Sequence, residues 1–236
     1  MRTRTLLTCF ALCGAAALMA TSLLPAQADS PPQRLAAPAV DLPASDGPQT
    51  IVLSGGCFWG VQGVFEHVKG VQSAVAGYAG GKQSQAQYET VSTGTTGHAE
   101  SVLVKYDPHQ ITLGHVLQIF FSVALDPTEK DRQGPDTGTQ YRSEIWTSNA
   151  DQARVAHAYI AQLDQAHAFH APIATRVDTL TGFYPAESYH QDFLVRHPDQ
   201  SYIAFEDMPK VQALQNLFPE AWRPQPVTVL PVHSDS

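Results

Sequence analysis

Residues 50–68 combine a short apolar run, two glycines, one thiol and a helical repeat, and that order leaves few folds open. Thr50-Ile51-Val52-Leu53 reads as a buried strand. Val61, Val64, Phe65 and Val68 recur at helical spacing. Between them, Gly55-Gly56 turns the chain and Cys57 stands where the helix begins. Unpaired N–H groups and the positive end of the helix dipole favour a thiolate at such a place. Phe58 and Trp59 follow at once and suit an apolar pocket beside a nucleophile. The plain alternative is a small buried thiol that packs like an alanine. The glycines, the helix start and the aromatics argue against it.

Both ends of the sequence stand apart from this unit. Arg2 and Arg4 are basic, no charge follows until Asp29, and an apolar stretch runs from Leu6 to Leu24. Ala26-Gln27-Ala28 then offers small residues for a peptidase, so residues 1–28 read as a secretory signal peptide cut between Ala28 and Asp29. The expected compartment is the periplasm or the exterior, with no stable membrane insertion after cleavage. An uncleaved membrane anchor is the alternative, because the run is nearly long enough to span. Residues 29–49 are rich in Pro, Ala and small polar residues and read as a flexible linker. Residues 219–236, with four prolines and no periodicity, read as an extended tail. Residues 50–218 form one expected catalytic domain.

Cys9 and Cys13 would leave with the leader, and Cys57 would be the single thiol of 208 remaining residues. One cysteine cannot build a disulfide scaffold. A lone thiol in an oxidising compartment is a liability, which points to chemistry. With 22 acids against 12 remaining bases, the chain is no general partner for nucleic acid or anionic membranes.

Within the domain, helices are expected near 58–67, from Leu113 after a Thr112 cap, from Asn149 (with Gln152 as a capping box) to about 166, and near 189–196. Strands are expected at 50–53, 71–79, 101–106, 142–147 and 173–178. The order β-α-β-β-α-β is that of a split βαβ core with additions.

Four blocks carry a resemblance. They are Gly55-Gly56-Cys57-Phe58-Trp59-Gly60, Thr93-Gly94-Thr95-Thr96-Gly97-His98-Ala99-Glu100, the run from Gln133 to Ser143 (Gln-Gly-Pro-Asp-Thr-Gly-Thr-Gln-Tyr-Arg-Ser), and the run from Phe183 to Gln191 (Phe-Tyr-Pro-Ala-Glu-Ser-Tyr-His-Gln). In this order they resemble the A-class peptide methionine sulfoxide reductases. The resemblance implies an α+β fold, a two-layer sandwich with a ferredoxin-like core plus additional helices and coil. It implies thiol-dependent reduction of the S epimer of methionine sulfoxide, free or in proteins, as a repair of oxidised proteins. By the same resemblance Cys57 is the nucleophile, Glu100 the proton donor, and Phe58 and Trp59 the methyl pocket. Tyr88 and Tyr141 match tyrosines that bond the sulfoxide oxygen, Asp136 matches a site aspartate, and Glu187 and His190 would be peripheral. Many members carry one or two later cysteines that resolve the oxidised nucleophile, whereas none follows Cys57 here. The implied reductant is therefore an external thiol: thioredoxin-like, glutaredoxin-like or a small molecule.

Other motifs fail. Gly80-Gly81-Lys82 lacks the first glycine and the hydroxyl residue of a phosphate loop, and no dinucleotide fingerprint or His-Glu-x-x-His appears. No bound cofactor or metal is expected. Two rivals remain at this level: a cysteine acyl-transferase or peptidase with His98 or His190 as base, and a module that binds oxidised methionine in an aromatic pocket. The leader makes a direct prediction. N-terminal sequencing of protein from the envelope should begin at Asp29, and intact Met1 on membrane-bound protein would favour the anchor.

Overall fold

The computed structural model describes residues 32–231; the expected signal peptide and its cleavage site lie outside them. The element order begins β1 (Gln49–Gly55), α1 (Phe58–Glu66), β2 (Val71–Ala79), α2 (Tyr88–Val91), β3 (Ala99–Tyr106) and α3 (Leu113–Ile119). A two-residue ladder, β4 (Arg132–Gln133) with β5 (Asp136–Thr137), precedes β6 (Ser143–Thr147), α4 (Ala150–Gln165) and β7 (Arg176–Thr179). Then come β8 (Phe183–Pro185), α5 (Phe193–Arg196) and α6 (Met208–Leu217). The six-stranded sheet runs β7-β6-β1-β3-β2-β8. Its inner four strands, β6-β1-β3-β2, are mutually antiparallel and have the strand order of the expected split βαβ core. β7 joins parallel to β6, and β8 antiparallel to β2. The fold is α+β.

Strand alternation makes the two layers. Ile51 and Leu53 of β1 and Val102 and Val104 of β3 enter the main core with the helices. Val52, Ala79, Ala99 and Trp146 form a smaller cluster with Leu103, Leu180 and Phe183 on the opposite face. Glu100 has the parity of Val102 and Val104, so β3 delivers a carboxylate into the helix layer.

Helix starts follow local chemistry. Thr112 Oγ1 accepts the His115 N–H at 3.2 Å, and Asn149 Oδ1 accepts that of Gln152 at 2.9 Å. Gln152 Oε1 reaches back to the Ser148 N–H, one residue before a strict capping box. The helix expected near 189–196 is broken. A 3₁₀ turn at Ser188–His190 is followed by Asp192 in the left-handed region (φ 55°), and only Phe193–Arg196 is α-helical. The Asp192 carboxylate binds the Val229 and Leu230 N–H groups, which ties this kink to the C-terminal strand of coil.

Two π turns interrupt helices. One, Phe120–Ala124, extends α3; the other, Ile203–Asp207, leads into α6. The second comes just before Pro209, which has no N–H to give a regular helix. That proline disguises the 201–217 helix in the sequence.

Residues 32–48 differ from the expected flexible linker. They form no helix or strand, but they are strapped to the body. Leu35 is buried, its N–H donates to Ser122 Oγ, and its carbonyl accepts from Gln118 Nε2. Arg34 donates to the Leu217 carbonyl, pairs with Glu220 and lies over the Phe218 ring. Tyr159 donates to the Ala36 carbonyl, and Asp41 accepts the Gly114 N–H. Prolines and alanines leave backbone groups free for such bonds, so composition alone does not separate a strap from a linker. Residues 219–231 are likewise extended and pinned, with the Val227 N–H on the Glu66 carbonyl. Leu35→Ala should lower unfolding free energy by about 2–5 kcal/mol, the usual cost of a buried Leu truncation. Urea titration would show this, and a loss under ~0.5 kcal/mol would mean an undocked strap.

Candidate active site

The start of α1 is the centre of the site. Gly56 has φ +87°, and a Cβ there would stand 2.5 Å from Gln133 Cβ, so only glycine lets the β4 segment close over the turn. Cys57 is the N-cap residue of α1, without a side-chain capping bond. It is the free cysteine among the described residues and is 8% exposed. Glu100 reaches from β3 beneath the same turn. Its Oε2 accepts the Phe58 N–H at 3.0 Å, and the residue is 3% exposed.

Electrostatics revise the thiolate expectation. Burial pushes the Cys57 thiol well above its ordinary pKa, and the Glu100 and Asp207 carboxylates raise it further. The Trp59 N–H and the Lys210 ammonium pull the other way but do not prevail. The helix start is not vacant: Glu100 takes one of its N–H groups, and Asp207 crowds it. A Cβ at Gly60 would lie 2.1 Å from Asp207 Oδ1 and 3.0 Å from Lys210 Nζ. Burial also pushes Glu100 up, to about 8. Its bond from Phe58 opposes the shift, and Asp136 and Asp207 add to it. At neutral pH the resting site therefore holds a thiol and a carboxylic acid, both protonated.

Aromatic side chains surround this pair. Phe58 is buried, 5.0 Å from the His190 ring and 5.9 Å from Tyr78. Trp59 is half-buried and stacks on Phe193 at 3.9 Å, with Tyr202 edge-on at 6.0 Å. Tyr88 and Tyr141 are half-buried, and both phenols are pushed up, first by burial and next by Glu100. Asp136 accepts a short hydrogen bond from the Tyr202 hydroxyl.

His190 and Glu187 are not peripheral. His190 Nδ1 accepts the Trp59 indole N–H at 3.2 Å, and its ring lies 4.5 Å from that of Tyr88. Burial lowers its pKa and keeps it neutral. Glu187 accepts from the Tyr78 hydroxyl and from the Tyr88 N–H. These two residues hold the aromatic wall. His98 is further away in role: Nδ1 accepts the Gly81 N–H and Nε2 meets the Lys82 carbonyl. His98 has both ring nitrogens engaged, and neutral His190, whose Nδ1 takes the Trp59 N–H, carries its proton on Nε2, which has no partner among the described residues.

Cys57 opens into a pocket of about 130 Å³. Its lining draws on both π turns, the Gln133–Asp136 segment, Phe169 and the strap residues Pro32 and Gln33. Tyr202, Asp207 and Lys210 escaped the sequence reading because the 201–217 helix did. The available signal was Tyr202, Ile203, Val211 and Leu214 at helical spacing around Pro209.

The fold and this arrangement define a thiol enzyme in which a buried carboxylic acid stands beside a buried cysteine. The sequence profile of the family "Peptide methionine sulfoxide reductase" matches residues 49–221. "Peptide methionine sulfoxide reductase MsrA 2" of Mesorhizobium japonicum is 54% identical over 191 residues, covering 81% of this chain and 98% of that protein. "Peptide methionine sulfoxide reductase MsrA" of Thermus thermophilus is 44% identical, covering 73% and 96%. Among solved structures, methionine sulfoxide reductase A of Corynebacterium diphtheriae has a TM-score of 0.56 at 36% identity, covering 65% of this chain and 77% of that one. Reduced Mxr1 of Saccharomyces cerevisiae has a TM-score of 0.59 at 30% identity, covering 69% and 92%. The chain belongs to the peptide methionine sulfoxide reductase family, in its A class, and is an oxidoreductase.

Asp207→Asn removes an anion beside the thiol and leaves Lys210 unpaired. Alkylation of Cys57 by iodoacetamide at pH 8 should accelerate, because the thiol pKa falls. An unchanged rate–pH profile would place Asp207 outside the thiol's field.

Proposed function

We propose that this protein reduces the S epimer of methionine sulfoxide, in oxidised proteins or free, through a sulfenic acid on Cys57, after export from the cytoplasm and removal of residues 1–28. The observation that carries the reading is Glu100: a carboxyl with pKa raised to about 8, bonded to the first N–H of the helix that Cys57 begins.

The chemistry balances with these groups alone. Glu100 gives its proton to the sulfoxide oxygen, which makes the sulfur electrophilic. Cys57 Sγ attacks as its own proton passes to the Glu100 carboxylate. The oxygen, now a hydroxyl, ends on Sγ, and the thioether leaves as methionine. Cys57 is oxidised to a sulfenic acid, the substrate sulfur is reduced, and Glu100 regains a proton. Phe58 and Trp59 receive the methyl group. Tyr88 and Tyr141, with hydroxyls held protonated by burial, donate to the oxygen. Asp136 orients Tyr202 beside them.

Recycling needs two external thiols, because no cysteine follows Cys57 in the sequence. The first forms a mixed disulfide with loss of water, and the second releases the Cys57 thiol. A thioredoxin-like or glutaredoxin-like protein, or a small thiol, would serve. A periplasmic or secreted site fits repair of oxidised envelope proteins.

Cys57→Ser should fold and reduce no sulfoxide; turnover by it would remove the nucleophile. Glu100→Gln should slow reduction by roughly 10²–10⁴-fold, the range for losing a general acid. In the wild type, kcat/KM should fall as pH rises through about 8, where free Glu100 loses its proton, and Glu100→Gln should lack that limb. Mass spectrometry after one turnover with dimedone should find the adduct on Cys57. A disulfide-linked dimer as main product would contradict the sulfenic route.

A further inference from the structure

The reaction proposed above needs Cys57, Glu100 and the rings around them, whereas the pocket beside Cys57 is lined by Asp136, Tyr202 and Lys210 and not by Glu100, Phe58, Trp59, Tyr88 or Tyr141, so it adjoins the reacting pair. Pro32 and Gln33 form part of its wall, although they stand at the far N-terminal side of the other lining residues. They precede the 49–221 region that the family profile matches.

We propose that Pro32 and Gln33 are specificity-determining residues, and that the strap forms a subsite for the polypeptide flanking the oxidised methionine. This rests on the functional reading above and says where the chain on either side of the oxidised methionine lies: against the strap.

The strap's anchors hold this wall in place. The Gln33 N–H donates to the Ser122 carbonyl at 3.2 Å, inside the first π turn. Leu35, two residues on, is buried, and Arg34 grips Leu217 and Glu220. The Gln33 side chain is exposed. Its Nε2 donates to the Ala168 carbonyl at 2.9 Å, which joins the strap to the turn bearing Phe169, another lining residue. That bond fixes the amide at the pocket edge and, among the described residues, directs its nitrogen to the protein. Its carbonyl oxygen is an acceptor suited to a backbone N–H of an extended peptide. Phe121, Val123, Leu125 and Phe169 add an apolar surface, suited to an apolar side chain beside the oxidised methionine. A free amino acid has no flanking residues to place against this wall.

Gln33 is neutral, so a charge placed there reads out what lies against it. In the full-length protein, Gln33→Lys and Gln33→Glu are compared with wild type. The substrates are free methionine S-sulfoxide and blocked peptides whose oxidised methionine is flanked by Lys or by Glu. The lysine variant should raise kcat/KM for Glu-flanked over Lys-flanked peptides by several-fold, and the glutamate variant should do the reverse. Both changes should fall mainly on KM and fade at high salt. The free sulfoxide, assayed alongside, normalises each variant. A merely structural role for Gln33 would move all substrates together. If wild type turns over and both variants keep its order of peptide preference, the subsite is overturned while the functional reading stands. If wild type reduces no sulfoxide at all, the functional reading falls, and the subsite with it.

Discussion

Desolvation of two ionisable groups at one helix end is the constraint around which this molecule is organised. Cys57 and Glu100 both lie out of water, and burial is the first cause of both raised pKa values. A buried carboxylate without partners would cost several kcal/mol, so the group keeps its proton instead. The same burial that makes Glu100 an acid makes Cys57 a resting thiol rather than a thiolate. A thiol held protonated also reacts slowly with oxidants, since the thiolate is the nucleophile.

The scaffold that enforces this burial comes from segments far apart in the chain. β3 brings Glu100 beneath α1 because strand parity places it on the helix face with Val102 and Val104. Arg142 ties the turn before β3 to the third block through the His98 and Gly97 carbonyls and pairs with Glu144 at 2.6 Å. Gln191 bonds both the N–H and the carbonyl of Ala76, which fixes the fourth block on the β2 edge. The four sequence blocks are thus mutually bonded layers of one wall. The π turns at Phe120–Ala124 and Ile203–Asp207 then line the pocket beside Cys57 through Phe121, Ser122, Val123 and Glu206.

The local patterns in the sequence were sufficient for β1, α1, β2, β3, α3, β6 and α4, and hence for the split βαβ core. Each of these rests on a period, a cap or a glycine turn that acts within a few residues. The blocks likewise marked Cys57, Glu100, Phe58, Trp59, Asp136 and Tyr141, and the resemblance added Tyr88 between the first two; the structure brings these side chains near the start of α1. Three things required the tertiary structure: the proton state of Cys57, the tethering of residues 32–48, and the places of Tyr202, Asp207 and Lys210. A helix N-terminus predicts a thiolate only while nothing else occupies it, and Glu100 and Asp207 arrive there from β3 and from the end of the second π turn. Proline-rich coil becomes a strap only when a body presents Ser122, Gln118 and Gln162 to its free backbone groups. Periodicity and capping are properties of neighbouring residues, and the sequence carries them openly. Burial and charge proximity depend on contacts between residues 42 to more than a hundred positions apart, and those exist only once the chain has folded.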